Sequence, residues 1–400
     1  MKVAVLGAGL QGSCVALELA ARGVDVALYD QNTVCMAQAS SRNEGKIHLG
    51  YVYANDTSRR TARTMLSGAL QFQPALTRLL GEMKLPVSAP FYYLIHRDSL
   101  LNIAEVEAHF QDCGTIAREL AGELTPEYFG RDFRVTPERL TDSECAALFD
   151  RETIQAAYRT EEVSIDPEYL AKCVHQGVTS HPRITCHWGT RIDGVTPQPD
   201  GAMVHFQGQE ARFDHVVNTL WESRLAVDQT AGIVPSRPWI YRVKHYLRVQ
   251  LSPWETVEIP SCTIVLGAFG DVVRYSNGAL YLSWYPAGML GSSTEIAPPQ
   301  WPLTLTDELQ AQLRTSIFQE LSQMIPSLKN LPEGGIANGA VKGGVIFAWG
   351  STDIDDPQSA LHDRFRIGPV SHGRYHSVDT GKLTMAPYFG KILAESICER

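Results

Sequence analysis

The chain has 400 residues, 44% of them hydrophobic and 20% charged, with a formal net charge of −9 and a pI near 5.8. This length exceeds the usual size of one hydrophobic core, so we expect two domains, and the acidic balance offers no basic stripe to nucleic-acid phosphates. No apolar run approaches the ~20 residues of a membrane span, and the eight cysteines form no C-x-x-C pair. Composition therefore predicts a soluble, reduced, cytoplasmic protein that neither spans a membrane nor binds nucleic acid.

The N-terminal segment predicts a strand, a glycine-rich turn, a helix and a second strand. Lys2–Leu6 is a short apolar run typical of a buried parallel strand, and G-A-G-L-Q-G follows it directly. Residues 13–22 carry apolar side chains at helical spacing, and Gly23 ends this helix. Residues 24–29 are typical of a second strand, which leads to Asp30.

The glycines and the acidic residue of this unit predict a dinucleotide site. Gly7 permits a tight turn, Gly9 leaves room for backbone to approach a pyrophosphate, and Gly12 lets the helix lie close to the strand. The diphosphate would lie at the helix N-terminus, where N–H groups and the dipole favour negative charge. Asp30 accepts hydrogen bonds from a ribose 2′-hydroxyl and repels a 2′-phosphate, which predicts FAD or NAD.

A loop and several helices follow. Residues 39–50, A-S-S-R-N-E-G-K-I-H-L-G, are too irregular for a helix and predict a loop that contacts a ligand. Asp166 and Pro167 are typical of a helix N-cap and first position, so a helix is expected to about residue 180. The other predicted helices are residues 57–80, kinked or divided at Pro74, and residues 99–120, 141–148, 305–325 and 388–398.

The predicted strands after the first unit form two groups. A β-meander and a returning strand are predicted over residues 184–188, 190–195, 202–206, 211–213 and 214–219. An antiparallel sheet in a second domain is predicted from residues 243–251, 263–266, 272–275 and 280–285. Single strands are predicted over residues 86–95 and 343–349.

Four segments in this order resemble the D-amino-acid oxidase (DAO) family of FAD-dependent oxidoreductases. Beside the glycine turn with Asp30, residues 40–50 are similar to the family's S-x-x-N-x-G-x-I-H-x-G loop. Residues 214–219 stand in place of its V-V-N-A-A-G strand, and residues 379–386, D-T-G-K-L-T-M-A, are similar to its G-K-x-T-x-A segment. The sequence departs from the family at residues 219–221, T-L-W, where the family has small residues, and in the aspartate that replaces its more usual glutamate.

The resemblance implies an α/β fold with a discontinuous Rossmann-like FAD-binding domain and an α+β substrate domain built on an antiparallel sheet. The FAD-binding domain would comprise residues 1–56, 151–220 and 340–400, and the substrate domain residues 57–150 and 221–339. N–H groups near Lys382 would stabilise the negative charge of reduced flavin. The residues expected to contact FAD are Gly7, Gly9, Leu10, Gln11, Gly12, Asp30, Gln31, Ser41, Arg42, Asn43, Lys46, Ile47, His48, Arg191, Asn218, Thr219, Gly381, Lys382, Leu383 and Thr384.

His48, Arg248 and Arg274 are the candidate catalytic residues. The family loop implies a position for His48 near the flavin, where it would position substrate, act as a base for a hydroxyl donor, attach the flavin, or only hydrogen-bond within the interface. An arginine would bind a substrate carboxylate bidentately. The other basic candidates are Arg42, Lys46, Arg364, Arg366 and Arg374, and the aromatic candidates for the cavity wall are Tyr246, Tyr275, Trp284 and Tyr285. No metal site is expected.

These residues predict an FAD-dependent oxidoreductase that transfers a hydride to flavin N5 from a carbon bearing an amine. A 2-hydroxy acid donor is the alternative, and it would need a base such as His48. An NAD-dependent enzyme and a flavin-binding protein without activity are further alternatives. The segment 381–382 argues against the first, and the intact loop 43–50 argues against the second. We expect a small carboxylate-bearing substrate, and oxygen or an acceptor protein for reoxidation.

Overall fold

The computed structural model describes residues 1–123, 128–252, 257–302 and 305–399. Within these residues the strands are, in chain order, β1 (Lys2–Leu6), β2 (Asp25–Asp30), β3 (Lys46–Ile47), β4 (Tyr92–His96), β5 (Glu138–Arg139), β6 (Ile154–Arg159), β7 (Val163–Ser164), β8 (Ile184–Trp188), β9 (Ile192–Gln198), β10 (Gly201–Phe206), β11 (Gln209–Phe213), β12 (His215–Asn218), β13 (Trp239–Gln250), β14 (Cys262–Val265), β15 (Gly270–Arg274), β16 (Ala279–Trp284), β17 (Met289–Ser293), β18 (Ala340–Trp349), β19 (Gly368–His372) and β20 (Tyr375–Asp379). The α-helices of the same ranges are α1 (Leu10–Ala21), α2 (Arg60–Leu80), α3 (Ile103–Glu123), α4 (Asp142–Leu148), α5 (Pro167–Ser180), α6 (Arg224–Thr230), α7 (Tyr285–Gly288), α8 (Asp307–Met324), α9 (Glu333–Ala337) and α10 (Ala386–Cys398). None of the helices in this part of the chain is long and apolar enough to cross a bilayer.

A six-stranded sheet is built around the N-terminal strand, in the order β19-β20-β12-β1-β2-β8. The strands from β20 to β8 are parallel, and β19 is antiparallel to β20 at one edge. Val3 and Val5 of β1 belong to the core that contains α1 and α10, whereas Ala4 and Leu6 belong to the core shared with the sheet β11-β10-β9. Because both faces of the sheet are covered at its centre, β1 is an almost continuous apolar run and β2 is mostly apolar.

A second, nine-stranded sheet is mostly antiparallel. Its order is β17-β13-β16-β15-β14-β4-β6-β5, and β18 pairs with β13 along nearly its whole length. Alternate residues of β13 serve opposite faces: Leu247 packs with Leu321 of α8 in one core cluster, whereas the Tyr246 ring lies 4.4 Å from the Tyr281 ring on the other face. The sheet therefore has one apolar face under α8 and one aromatic and polar face.

The observed fold class agrees with the prediction, and the contacts of three elements lead us to propose different domain boundaries. β6 and β18, predicted within the FAD-binding domain, both pair with strands of the nine-stranded sheet. α2, predicted within the substrate domain, packs against α10 and α1. We therefore propose that residues 154–159 and 340–349 belong with the second sheet, and α2 with the first.

Pro74 does not divide α2, which continues as one helix from Arg60 to Leu80. Leu70 and Leu76, on either side of the proline, are both buried in the core beside α1. Tertiary packing on both sides of Pro74 stabilises the helix against the loss of one backbone hydrogen bond. The prediction of a divided helix is therefore wrong.

Candidate active site

A cavity of about 770 Å³ extends from the carboxyl ends of β1 and β2 to the aromatic face of the nine-stranded sheet. Gly7, Gly9 and Asp30 line it at one end, and Tyr246 and Tyr281 line it at the other. This volume is typical of ligand pockets, which measure ~300–1,000 Å³. Ligands of open α/β sheets bind at the carboxyl ends of the strands, so this end of the cavity is the expected dinucleotide site.

The glycine turn forms a cradle that side chains would fill. Gly7 has φ +96°, and a Cβ on Gly12 would overlap the Gly7 carbonyl oxygen. A Cβ on Gly9 would lie 3.1 Å from Ser40 Oγ, at the start of α1. The turn therefore brings bare backbone and a helix N-terminus to the cavity, which fits the diphosphate of a dinucleotide.

Asp30 holds this turn in addition to facing the cavity. Its Oδ2 accepts the Ala8 N–H at 2.7 Å, and its Oδ1 accepts the backbone and side-chain N–H groups of Asn32, both at 2.8 Å. A carboxylate has about four acceptor sites. One site therefore stays available to a ribose hydroxyl, the role predicted from the sequence.

The loop of residues 39–50 is folded by its own asparagine. Asn43 Nδ2 donates to the carbonyls of Ala39 and Ser40, and Asn43 Oδ1 accepts the Gly45 N–H at 2.8 Å. Gly45 has φ +65°, and a Cβ there would overlap the Ile165 carbonyl oxygen. The asparagine and glycine of this motif therefore shape the backbone that presents the following residues to the cavity.

Thr384 joins this loop to the last motif of the chain. Its hydroxyl accepts the His48 N–H and donates to the Lys46 carbonyl, both at 3.1 Å. Gly381, two residues after β20, has φ +63° and donates its N–H to Asp379 Oδ1 at 3.0 Å. Two motifs far apart in sequence thus form one wall of the cavity.

His48 is a neutral histidine in a cationic wall. Its side chain is buried, and its Nδ1 has no hydrogen-bond partner among the described residues. Burial, and then the charges of Lys382, Lys46 and Arg364, hold the pKa of His48 well below its ordinary value. At neutral pH the imidazole is uncharged.

Lys46 is already neutralised by the protein. Its Nζ donates to Asp271 Oδ1 at 2.7 Å and to the Thr263 hydroxyl. Burial disfavours the charge, but attraction to Asp271 and Glu162 outweighs this effect and raises the pKa of Lys46. Lys46 is therefore an internal ion-pair partner that also lines the cavity.

Glu162 supports the loop from behind and was not predicted. It is fully buried, and it accepts the Leu49 N–H at 2.6 Å and the Tyr93 hydroxyl hydrogen. Burial raises the pKa of Glu162 to about 7, although the charge of Lys46 opposes this shift. Its only sequence signal is an acidic residue between two predicted elements, which is also typical of an exposed turn.

The predicted FAD contacts divide into residues of the cavity wall and residues behind it. Those that line the cavity are Gly7, Gly9, Leu10, Gln11, Asp30, Gln31, Arg42, Asn43, Lys46, His48, Arg191, Thr219, Gly381, Lys382 and Leu383. Those outside the lining formed by the described residues are Gly12, Ser41, Ile47, Asn218 and Thr384. Asn218, for example, donates to Asp228 and Tyr375 in a buried network beneath the wall.

Neither predicted catalytic arginine reaches this cavity. Arg248 donates to Asp166 Oδ2 at 2.7 Å and lines a separate depression of about 370 Å³. Arg274 donates to the Val257 carbonyl. Both arginines lie on predicted strands, but the sequence did not show which strands pair with one another. It therefore did not show which part of each strand would meet the cavity.

Two basic residues of the wall were missed. Arg242 and Lys244 both line the cavity, next to Tyr246 on the same face of β13. The predicted strand began at residue 243, whereas β13 begins at Trp239. The alternation R-V-K-H-Y over residues 242–246 is the signal that would have found them.

Arg242, Lys244 and Arg364 surround one side of the cavity. Arg242 Nη1 donates to Asp353 Oδ1 at 2.5 Å and to the Tyr285 hydroxyl at 2.6 Å. Lys244 Nζ lies 5.6 Å from the centroid of the Tyr285 ring. Tyr246 and Tyr285 line the cavity as predicted, while Tyr275 and Trp284 lie outside its lining.

The glycine cradle at the carboxyl ends of β1 and β2 defines a dinucleotide-binding protein, and its cavity continues to the second sheet. The family model for FAD-dependent oxidoreductases of the DAO type matches residues 2–396, and the chain belongs to this family. The predicted family, enzyme class and FAD cofactor are confirmed. The glycine cradle, the helix N-terminus and the carboxylate of Asp30 fit this cofactor.

Solved structures of the same fold include glycine oxidase from Geobacillus kaustophilus, with a TM-score of 0.70 and 15% identity over 100% of this chain and 94% of that chain. L-alpha-glycerophosphate oxidase from Mycoplasma pneumoniae, solved with FAD bound, has a TM-score of 0.68 and 15% identity over 99% of this chain and 94% of that chain. L-proline dehydrogenase from P. horikoshii has a TM-score of 0.68 and 16% identity over 100% of this chain and 93% of that chain. No curated protein sequence matches the chain.

Proposed function

We propose that this enzyme oxidises an amine, either an amino acid or a secondary amine. The substrate loses a hydride from the carbon that bears nitrogen and a proton from the nitrogen. The resulting imine is hydrolysed by water to a carbonyl compound and an amine or ammonia. Bound FAD supplies the hydride acceptor. The names of the structural relatives glycine oxidase and L-proline dehydrogenase support an amine donor.

The cationic surroundings of His48 carry this proposal. A hydroxyl donor must give its O–H proton to a base during oxidation. Protonated His48 would lie beside Lys382 and the other cations of the wall, which is the arrangement that lowers its pKa. His48 is therefore a weak proton acceptor. An amine that binds uncharged needs no such base, and the same cations favour the neutral amine over its ammonium form.

Arg364 is the side chain best suited to a substrate carboxylate. It lines the cavity and is buried, and its guanidinium donates to the carbonyls of Leu361 and Phe347 rather than to an acid. Burial and the neighbouring charge of Arg242 lower the pKa of Arg364 to about 10, so it stays charged at neutral pH. A bound carboxylate would relieve both unfavourable effects.

The experiment is anaerobic mixing of purified holoenzyme with a pool of amino acids and secondary amines, and separately with a pool of 2-hydroxy acids. We expect the visible flavin bands to bleach with the amines. Bleaching by the hydroxy acids alone would favour the alternative donor class.

The variant His48→Ala should keep its FAD and should bleach at least about tenfold more slowly if His48 positions the substrate.

The free thiols support the predicted cytoplasmic location, which we retain as part of the proposal. All eight cysteines are unpaired with one another. Such thiols persist in reducing compartments.

Reoxidation by oxygen or by an acceptor protein is distinguished by an oxygen electrode, because only an oxidase consumes oxygen during turnover.

A further inference from the structure

The substrate side of the cavity holds more positive charge than one carboxylate needs. Arg242, Lys244 and Arg364 all line this side. Arg242 is paired with Asp353, but neither Lys244 nor Arg364 forms an ion pair within the described residues. Two cationic groups therefore face the chamber without an acidic partner.

The nearby acids do not supply these partners. Burial raises the pKa of Asp271, but the charges of Lys46 and then of Lys244 outweigh this effect and lower it. This carboxylate is already bonded to Lys46 at 2.7 Å. Asp353 is bonded to Arg242 and to the Tyr285 hydroxyl. Uncompensated charge in a partly dehydrated wall is costly unless a ligand neutralises it.

Arg242 and Lys244 lie on the same tyrosine, and the Arg242 guanidinium carbon is 5.8 Å from the centroid of the Tyr285 ring. The Tyr285 hydroxyl bonds to Arg242, whose charge also lowers the pKa of Arg364, so these two arginines lie close together. Lys244 lies over the face of the Tyr285 ring, 5.6 Å from its centroid. Residues two apart on a strand point to the same face with roughly 7 Å between their Cα atoms, so Arg242 and Lys244 present neighbouring charges at a spacing that a short diacid can bridge.

We propose that the substrate carries two acidic groups, one bound by Arg364 beside Arg242 and the second bound by Lys244. The inference deepens the proposed amine oxidation, and on that basis it names an amino dicarboxylate or an N-substituted equivalent as the substrate class. Lys382 is not counted, because it belongs to the segment 381–384, which we assign to the flavin side of the wall.

The test is calorimetric titration of the holoenzyme with succinate and with butanoate, which differ by one carboxylate and cannot be oxidised as amines. We expect succinate to bind at least about tenfold more tightly, since a charge-assisted contact is added. Lys244→Met should weaken succinate about tenfold and butanoate less than about twofold. Lys244→Arg, which keeps the charge, should retain most of the preference.

Lys329→Met is the matched control, because Lys329 is exposed and outside the cavity lining, and it should bind both acids like the wild type. Equal affinity for succinate and butanoate in the wild type would overturn the dianion inference, even if amines bleach the flavin. A preference for succinate together with a flavin that no amine bleaches would leave the inference standing and reject amine oxidation.

Discussion

The two sheets of this enzyme use their residues in opposite ways. The central strands of the six-stranded sheet have apolar residues on both faces, and the sheet presents its ligand site through backbone, at the glycine turn beyond β1. The nine-stranded sheet packs an apolar face under α8, and the part of its other face beside the cavity presents side chains such as Arg242, Lys244 and Tyr246. The first sheet presents main-chain groups to its ligand, and the second sheet presents side chains.

This difference predicts how each half of the site responds to substitution. A backbone cradle depends on a few glycines and tolerates change elsewhere, because N–H groups are the same for every residue. A side-chain wall can be rebuilt one residue at a time without altering the sheet, since alternate positions of a strand are independent of the opposite core. We therefore expect substrate choice to depend on the second sheet's wall rather than on the fold itself.

The largest effect should follow a change in the backbone cradle. In Gly12→Ala the new Cβ would overlap the Gly7 carbonyl oxygen, so the turn must move and the purified protein should contain little FAD. The measurement is the ratio of flavin to protein absorbance. Gly122→Ala is the control, because a Cβ on Gly122 meets nothing within 4 Å, and it should keep full FAD. Normal FAD content in Gly12→Ala would remove the cradle from the cofactor site.

The next effect concerns the apolar face of the second sheet. Leu321 of α8 is fully buried, so Leu321→Ala should lower the free energy of unfolding by ~2–5 kcal/mol. FAD content should stay normal, because this face lies away from the cavity. Denaturant unfolding and flavin absorbance test both statements, with exposed Gln323→Ala expected within ~0.5 kcal/mol of wild type. Loss of FAD from Leu321→Ala would show that the two faces are not independent.

A smaller effect is expected where both regions meet, at Lys382. Burial, with the charges of Arg364 and Lys46, lowers the pKa of Lys382 to about 8 against the opposing charge of Glu44. Lys382→Met should make the flavin midpoint potential more negative at pH 7 by about 30 mV, a tenfold change for two electrons. The difference should shrink above pH 8, where the wild-type lysine loses its proton.

The lowered pKa of Lys382 also predicts how the stability of the protein depends on pH. The unfolded chain holds this lysine proton more tightly than the folded chain, so the apoprotein should gain stability as pH rises from about 8 to about 10.4. Lys382→Met should lack this rise. Lys391→Met, on α10 outside the cavity lining, is the control for both measurements. A potential that is the same in Lys382→Met and wild type at pH 7 would contradict a role beside the flavin.

The smallest effect on the site is expected at Arg248, which a sequence argument proposes as catalytic. Arg248→Met should change succinate affinity less than about twofold and cost roughly 1–3 kcal/mol of stability, because it removes the ion-pair partner of the buried Asp166. Arg364→Met should weaken succinate at least about tenfold. Calorimetry on the two variants compares them directly. A large loss of affinity in Arg248→Met would mean that the smaller depression belongs to the substrate site.

Local chemistry made the first region predictable from sequence. β1 was predicted at its observed bounds, Asp166 caps α5 by accepting the Glu168 N–H, and the loop from Asn43 is folded by contacts within a few residues. Each of these features depends on neighbours in the chain, so the residue types and their spacing contain the information. The glycine motif and the order of the four segments were sufficient to predict the family and FAD.

Only the tertiary structure decided which side chains meet in the substrate chamber. Arg242 and Asp353 are brought together by the pairing of β13 with β18, across more than 100 residues of chain. Arg248, six residues beyond Arg242 on the same strand, instead reaches Asp166 and a different depression. The sequence of a strand determines which residues point to the same face. Which face becomes part of a site depends on what packs over it. Here α8 and the FAD-binding region pack over the sheet from distant parts of the sequence, so the sequence of the strand could not show the outcome.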